Sequence, residues 1–341
     1  AIAWKKEFTK MKSLAWGILA TGGIARKFAE SLPKSSTGEL VAVGSRTKEA
    51  AHRFGEEFGV ARQHGSYQDL VDDPAVQAVY ISAPNHLHKE WTIKCAEAGK
   101  HILCEKPFTV NKQEAEQALD VVRDKGVFFM EAFMYRCHPQ TARLRRLVQD
   151  GAIGEVRLIQ STFCFNMGPK YDNIRLSNPA AGGAIMDVGC YTASMARLIA
   201  ADEPVEVRGA AQIGPVSQVD EQSVASLKFP NGIVANLACA TQVSADSELR
   251  VWGSNGSIRV PNPWFPGETA NRILLKTGSE EKEVMVDGGA ELYAIEADTV
   301  ARHLEEKEAP APCMTWNDTL GNMALLDAWR HSIGLVFEVE K

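Results

Sequence analysis

The stretch Leu14-Ala15-Trp16-Gly17-Ile18-Leu19-Ala20-Thr21-Gly22-Gly23-Ile24-Ala25 decides the fold. Its first seven residues form a short apolar run, the pattern of a strand buried on both faces. Ile24, Phe28 and Leu32 then recur at i, i+4 and i+8, with Ala25 and Ala29 beside them, so a helix over 23–32 follows. Glycines between a buried strand and a helix N-terminus let the backbone approach a pyrophosphate, which the helix amides and dipole attract. The dinucleotide fingerprint is G-x-G-x-x-G/A, and here Ala20 stands in place of the first glycine. An ordinary tight βα turn is the alternative, but the strand-turn-helix context favours Thr21, Gly22, Gly23 and Ile24 as a cofactor turn.

Outward from that stretch the alternation continues. Strands are expected at 40–43, 61–64, 76–82, 101–104 and 127–130, and helices at 47–57, 67–72, 87–99 and 112–125. Repeated β-α-β units with continuous apolar strands predict a parallel sheet covered on both faces. After about residue 137 the pattern changes. A helix at 138–150 precedes an alternating segment at 155–166, and a second helix covers 184–200. Strands and turns dominate 205–286, with hairpin signals at Asn231-Gly232 and Asn255-Gly256. Ser223, Ala225, Leu227 and Phe229 alternate with Val224, Ser226 and Lys228, so this sheet is mostly antiparallel. Helices return at 290–306 and 316–335. The fold class is therefore α/β followed by α+β. Its parts are an arm or extension at 1–10, a dinucleotide-binding domain at 11–136, and a substrate and oligomerisation domain at 137–341 whose 316–335 helix packs back on the first. A chain of 341 residues exceeds a single ordinary core and fits that division.

Composition narrows the function. Apolar residues make up 45% and charged residues 23%, as in a globular protein. A formal net charge of -6 argues against nucleic acid and anionic membrane as partners. The seven cysteines are scattered, with no C-x-x-C, so neither a disulfide framework nor a zinc site is expected. That usage, and the lack of a secretory pattern at the N-terminus, point to a reducing, cytoplasmic setting. The uncharged stretch 229–245 is part of a hairpin and not a membrane span.

Ligands of an open α/β sheet bind beyond the carboxyl ends of its strands. Glu105-Lys106-Pro107 closes the 101–104 strand, which aims a lysine beside a proline-restricted turn at whatever the Gly-rich turn holds. Ser45-Arg46-Thr47 follows the 40–43 strand. An NAD site carries an acidic residue about 20 residues after the fingerprint. A hydroxyl and a guanidinium in its place suit a 2′-phosphate, so NADP is expected, with NAD as the alternative. A helix cap at Ser45 or Thr47 beside a solvated arginine is the structural alternative. Pro84-Asn85-His86-Leu87-His88 ends the 76–82 strand at the same edge. Asn85 suits a turn there, and either histidine is a candidate proton shuttle. Asp187 and Tyr191 share one helix face after Gly182-Gly183. A tyrosine serves as acid or base when its pKa is lowered, and Lys106 would do that. The alternative for this pair is a carboxylate at a helix start with a core tyrosine.

At these residues the sequence resembles the glucose–fructose oxidoreductase / inositol dehydrogenase / MocA family. The resemblance covers nearly everything from Leu14 to the 316–335 helix. It rests on Gly22-Gly23-Ile24-Ala25, Pro84 through His88, Glu105-Lys106-Pro107, Glu131 through Pro139, Gly182 through Tyr191, and Gly253 through Ile258. It implies a Rossmann domain followed by an open, predominantly antiparallel sheet with helices on one face. The free face would join copies into a homodimer or homotetramer. It also implies a cis bond between Lys106 and Pro107. Many members carry histidine where this chain has Tyr191. Tyrosine is similar to the branch holding glucose–fructose oxidoreductase, D-xylose dehydrogenase and dimeric dihydrodiol dehydrogenase, in which the lysine–tyrosine pair moves the proton. Asn173-Ile174-Arg175 also resembles that branch and brings Arg175 toward substrate. The expectation is an NADP-dependent oxidoreductase acting on a sugar or polyol. Lys106, Tyr191 and Asp187 are its catalytic residues. Lys106, Arg175, Asp187 and Tyr191 hold substrate. Thr21, Gly22, Gly23, Ile24, Ser45, Arg46, Pro84, Asn85, His88, Glu105 and Lys106 hold the cofactor, and no metal is needed. The alternatives are an enzyme cycling a tightly held cofactor between two sugars, and a sugar- or nucleotide-sensing regulator.

Overall fold

The computed structural model describes residues 13–341, so the arm or extension expected at 1–10 lies outside the described residues. The opening stretch forms strand β1 (Leu14–Leu19) and helix α1 (Gly23–Ser31). The alternation then runs β2 (Gly38–Gly44), α2 (Lys48–Phe58), β3 (Arg62–His64), α3 (Tyr67–Val71), β4 (Ala78–Ile81), α4 (His88–Glu97), β5 (His101–Glu105), α5 (Lys112–Lys125) and β6 (Phe129–Ala132). Local chemistry punctuates these elements. Thr47 caps α2 by accepting from the Ala50 N–H, and Asn111 caps α5 by accepting from Glu114. Gly59 and Gly126 end the same helices in the left-handed conformation. Strand order is β3-β2-β1-β4-β5-β6, with every pair parallel. The order reverses between β1 and β4, and a crevice opens there beyond the carboxyl ends. β6 runs two residues later than the apolar pattern suggested. Val127 and Phe128 are buried as expected, but Phe128 serves the sheet only through its carbonyl, which accepts from Ile102.

The second half contains α6 (Met134–Cys137), α7 (Pro139–Gln149), β7 (Val156–Cys164), α8 (Cys190–Ala200) and seven further strands. These are β8 (Glu206–Ile213), β9 (Asp220–Lys228), β10 (Val234–Ala240), β11 (Leu249–Gly253), β12 (Gly256–Val260), β13 (Asn271–Thr277) and β14 (Glu280–Val286). Helices α9 (Leu292–Arg302) and α10 (Trp316–Ser332) follow. The sheet order is β14-β13-β12-β11-β7-β10-β9-β8, antiparallel except where β7 meets β10. On β9, Ser223, Ala225 and Leu227 are buried and Val224, Ser226 and Lys228 exposed, the expected alternation. Helices α8 and α10 cover one face. The other face leaves Leu158, Val224 and Val234 exposed.

Chain-distant contacts tie the two halves together. The Lys112 N–H donates to Asp327 of α10 at 2.9 Å, and buried Arg330 donates to the Val110 carbonyl at 3.2 Å. Asp298 of α9 accepts from the backbone N–H groups of Ser36 and Thr37, each at 3.1 Å. The helix expected over 184–200 is two pieces. Ile185–Gly189 is a wider π-type turn, and regular α-helix begins only at Cys190. Such widenings recur at functional sites. Among the described residues no helix is long and apolar enough to cross a membrane, and no group of three metal-ligating side chains occurs.

Candidate active site

At the end of β1, Ala20 holds φ +80°, the left-handed conformation for which glycine is the usual choice. That is the fingerprint position where alanine had replaced glycine. Gly22 is the N-cap of α1 and contributes no side-chain cap, so the helix's first amides stay available. A Cβ built on Gly22 or Gly23 would meet nothing within 4 Å. The chain's own packing therefore does not require glycine at either position. What the two glycines leave is bare backbone facing open space at a helix N-terminus, which fits a dinucleotide pyrophosphate. Substituting Gly23→Leu should hold or raise the melting temperature, because leucine is the better helix former by about 0.8 kcal/mol. Nucleotide affinity, read by fluorescence titration, should fall about tenfold or more, or 1.4 kcal/mol. Unchanged affinity would remove the turn from the cofactor site.

Ser45 is buried after β2, its hydroxyl 3.3 Å from that of Thr21. Arg46 is exposed, and Thr47 rather than Ser45 caps the next helix. Beyond β4, Ser82 donates to the Leu19 carbonyl at 2.9 Å. The Asn85 amide donates to the Ala181 carbonyl at 2.8 Å, which stitches this edge to the second half. His88 corrects the proton-shuttle expectation. It is fully buried, with Nδ1 2.9 Å from the Pro107 carbonyl and Nε2 2.7 Å from that of Ala83. Burial favours the neutral ring, whose single N–H donates to one of these two carbonyls, and His88 sits wedged between the loops after β4 and β5.

Glu105 ends β5. Its carboxylate accepts from the Tyr80 hydroxyl and, at 3.2 Å, from the Lys106 N–H. Burial pushes its carboxyl above the ordinary range. The Lys106–Pro107 bond is cis, as the resemblance implied; Ala311–Pro312 is cis as well. Lys106 Nζ donates to the Asp187 backbone carbonyl at 2.7 Å and to its Oδ1 at 3.2 Å. Arg175 Nε donates to Oδ2 of the same carboxylate at 2.7 Å. Burial opposes the charge on Lys106, but Asp187 and its neighbours outweigh it and hold the ammonium above the usual lysine range. Burial likewise opposes the Asp187 carboxylate, and Lys106 and Arg175 reverse that, keeping it ionised. Lys106 Nζ lies 5.0 Å from the centre of the Tyr191 ring, over its face.

Tyr191 is only 4% exposed, stacked on Tyr135 with centroids 5.6 Å apart and edged by Phe133 and Phe163. Its hydroxyl donates to Met134 Sδ at 3.4 Å. The expectation that Lys106 lowers its pKa does not hold in the protein alone. Burial drives the phenol well above its ordinary value and the Glu105 carboxylate adds to that, while the lysine faces the ring and not the oxygen.

Gly182 and Gly183 let the Asp187 turn come close. A Cβ on Gly182 would lie 2.4 Å from the Ile174 carbonyl oxygen, and one on Gly183, at φ +106°, 2.1 Å from Asp220 Oδ1. Asp220 in turn accepts from the Ile185 N–H at 2.7 Å. All of these groups surround a cavity of about 500 Å³ whose walls come from both halves of the chain. Ile24, Asn85, Glu105, Lys106, Arg175, Asp187 and Tyr191, all singled out in the sequence, line it together with His88. Lys170, Phe163, Phe165 and Tyr293 line it too and were not singled out, while Met134 lies within the quoted Glu131 through Pro139 stretch. Only the loop 166–181 that carries Lys170 and Arg175 has a local signal, an irregular stretch rich in Gly, Asn and Pro.

Residues 14–133 match the oxidoreductase family with an NAD-binding Rossmann fold, and residues 141–259 match the GFO/IDH/MocA C-terminal domain. This chain belongs to the GFO/IDH/MocA oxidoreductases. Among its relatives in that family, a D-xylose 1-dehydrogenase (NADP(+)) of Haloferax volcanii is 34% identical over 87% of this chain and 91% of its own length. A trans-1,2-dihydrobenzene-1,2-diol dehydrogenase of Mus musculus is 30% identical over 96% of this chain and 99% of its own. The 3-ketoreductase of Actinomadura kijaniata, solved with NADP and TDP-benzene, superposes with a TM-score of 0.86 at 27% identity. That match covers 94% of this chain and 98% of the other. As a GFO/IDH/MocA oxidoreductase, the chain uses its parallel sheet for a nicotinamide dinucleotide.

Proposed function

We propose that this protein is an NADP-dependent oxidoreductase acting on a sugar or related polyhydroxylated compound, with Tyr191 as acid/base and Lys106 beside it. The observation that carries this is the Lys106–Asp187–Arg175 chain of charge-assisted bonds, set with Tyr191 in a cavity reached from the cofactor turn. Bound nicotinamide supplies or accepts the hydride. Asp187 fixes the lysine by two contacts, so its ammonium is positioned before substrate arrives. A reacting oxygen near Lys106 Nζ would be stabilised as negative charge develops on it. Tyr191 and Lys106 are both protonated at neutral pH, so the residues are set to donate a proton as a carbonyl becomes an alcohol. The Met134 contact supports a second reading, in which Lys106 itself gives the proton and Tyr191 shapes the wall. The exposed Leu158, Val224 and Val234 support an interface between copies of the chain on the uncovered sheet face.

The test is a panel of aldoses, polyols and keto-sugars assayed with NADP(H) and NAD(H) side by side. Turnover with none of them, despite bound nucleotide, would favour a sensor. Cofactor preference rests on Arg46. Arg46→Ala should raise the Kd for NADP by about tenfold to a hundredfold, the value of a hydrogen bond between charged groups, and leave NAD affinity unchanged. Equal loss for both nucleotides would overturn the assignment to the 2′-phosphate.

A further inference from the structure

We propose that the substrate carries an anionic group, a carboxylate or phosphate ester, received by Lys170 and Arg175 on the cavity wall built by the second half of the chain. The proposal deepens the function given above and rests on it. Its basis is an imbalance of partners. The basic and acidic side chains that line the cavity are Lys106, Lys170 and Arg175 against Glu105 and Asp187. Both carboxylates are already engaged. Asp187 Oδ1 takes Lys106 and Oδ2 takes Arg175, while Glu105 takes the Tyr80 hydroxyl and the Lys106 N–H.

The donors are not exhausted. Arg175 uses only Nε; its other two guanidinium nitrogens bond nothing among the described residues, and its side chain is 42% exposed. Lys170 Nζ makes no ion pair or hydrogen bond among the described residues. Of the two neutral amides at the same cavity, Asn85 gives one N–H to the Ala181 carbonyl, and the Asn173 oxygen accepts from the Arg175 backbone N–H. The site therefore offers positive charge on Lys170 and Arg175 that the two carboxylates do not fully pair.

A neutral polyol brings hydroxyls that donate as often as they accept, and it would leave this excess to water. A carboxylate or phosphate brings acceptors only, in the geometry that a guanidinium fork matches with two parallel bonds. The cofactor's own phosphates do not call on these cations. The pyrophosphate cradle follows β1 and Arg46 follows β2, both on the parallel-sheet side. The aromatic wall of Phe163, Phe165 and Phe265 completes the recognition by covering the C–H face of a ring, while the basic pair reads its charged substituent.

The experiment measures kcat/KM for D-glucose, D-glucuronate and D-glucose 6-phosphate with the NADP-bound protein, and melting shifts with the same three ligands. At least one anion should exceed glucose about tenfold in kcat/KM, and that advantage should shrink as salt rises. Lys170→Gln should cut the anion-to-neutral ratio about tenfold, and Lys170→Glu should abolish it. The two anion arms separate carboxylate from phosphate recognition. A ratio at or below one in both arms, or a ratio insensitive to both Lys170 variants, overturns the proposal. If no sugar of either charge reacts, the choice of sugar in the proposed function fails, and the anion site is still judged. It stands if an anion raises the melting temperature above the glucose value and Lys170→Glu removes that difference, and it falls otherwise.

Discussion

Lys106→Met should lower kcat/KM for the preferred sugar by about 10²–10⁴, the range for loss of a positioned proton donor or oxyanion stabiliser. NADP affinity should change little. Methionine keeps the unbranched length of the lysine stem in a cavity already bordered by Met134 and Met167. What it removes is the ammonium, and with it both contacts to Asp187. The carboxylate keeps Arg175, so the turn retains one anchor and the variant should fold. Steady-state kinetics beside nucleotide titration gives the answer, and near-normal turnover would sink the role given to this lysine. Tyr191→Phe then divides the two proton routes. A loss of the same size identifies the phenol as the acid. A loss of about tenfold or less identifies Lys106, in keeping with the phenol's bond to Met134. The pH profile is a further check. Both groups are held above their ordinary values, so reduction should stay flat across the neutral range and fall only as pH climbs toward the lysine range. An acidic limb below the ordinary carboxylate range would instead point to Asp187.

Much of this site was legible because it lies at strand ends. Buried strands announce themselves as apolar runs, and the residue after each run is at the functional edge by topology. Asn85 and Lys106, both on the cavity wall, were singled out in that way, each from a few consecutive letters. Tyr293 and Phe163 were not, because a tyrosine on α9 and an alternate residue on β7 follow the same periodicity whether they face a core or a cavity. The lowered pKa expected for Tyr191 failed for a related reason. Sequence places a lysine near a tyrosine but does not say whether the ammonium meets the oxygen or the ring, nor how completely neighbouring aromatics exclude water. The turn at Ile185–Gly189 was hidden as well. Its first N–H, that of Ile185, is held by a partner 35 residues downstream, Asp220, at the first position of an otherwise ordinary strand.

Asp220→Asn should make the protein more stable relative to the parent as pH rises from 4 to 8, by up to about 4 kcal/mol. Burial pushes the Asp220 carboxyl up to about 7, and one of its oxygens has no hydrogen-bond partner among the described residues. Above about pH 4 the unfolded chain releases this proton while the folded protein keeps it until about pH 7. The folded state then binds more protons, so unfolding free energy falls with rising pH at about 1.4 kcal/mol per pH unit through that window. Asparagine has no proton to lose, and its side-chain oxygen still accepts from the Ile185 N–H. Its stability curve should therefore keep only the remaining slopes, among them those of Glu131, whose carboxyl burial also raises to about 7, and of Glu296, which burial raises as well. Chemical denaturation at pH 4, 6 and 8 reads the difference, and parallel curves for the two proteins would place the carboxyl's pKa near its ordinary value. Turnover separates charge from geometry at the same position. Asp220→Asn should keep the Asp187 turn and its activity, whereas Asp220→Ala removes the acceptor for Ile185. The alanine variant should lose kcat through misplacement of Asp187 and Lys106, even at a pH where its stability matches the asparagine variant.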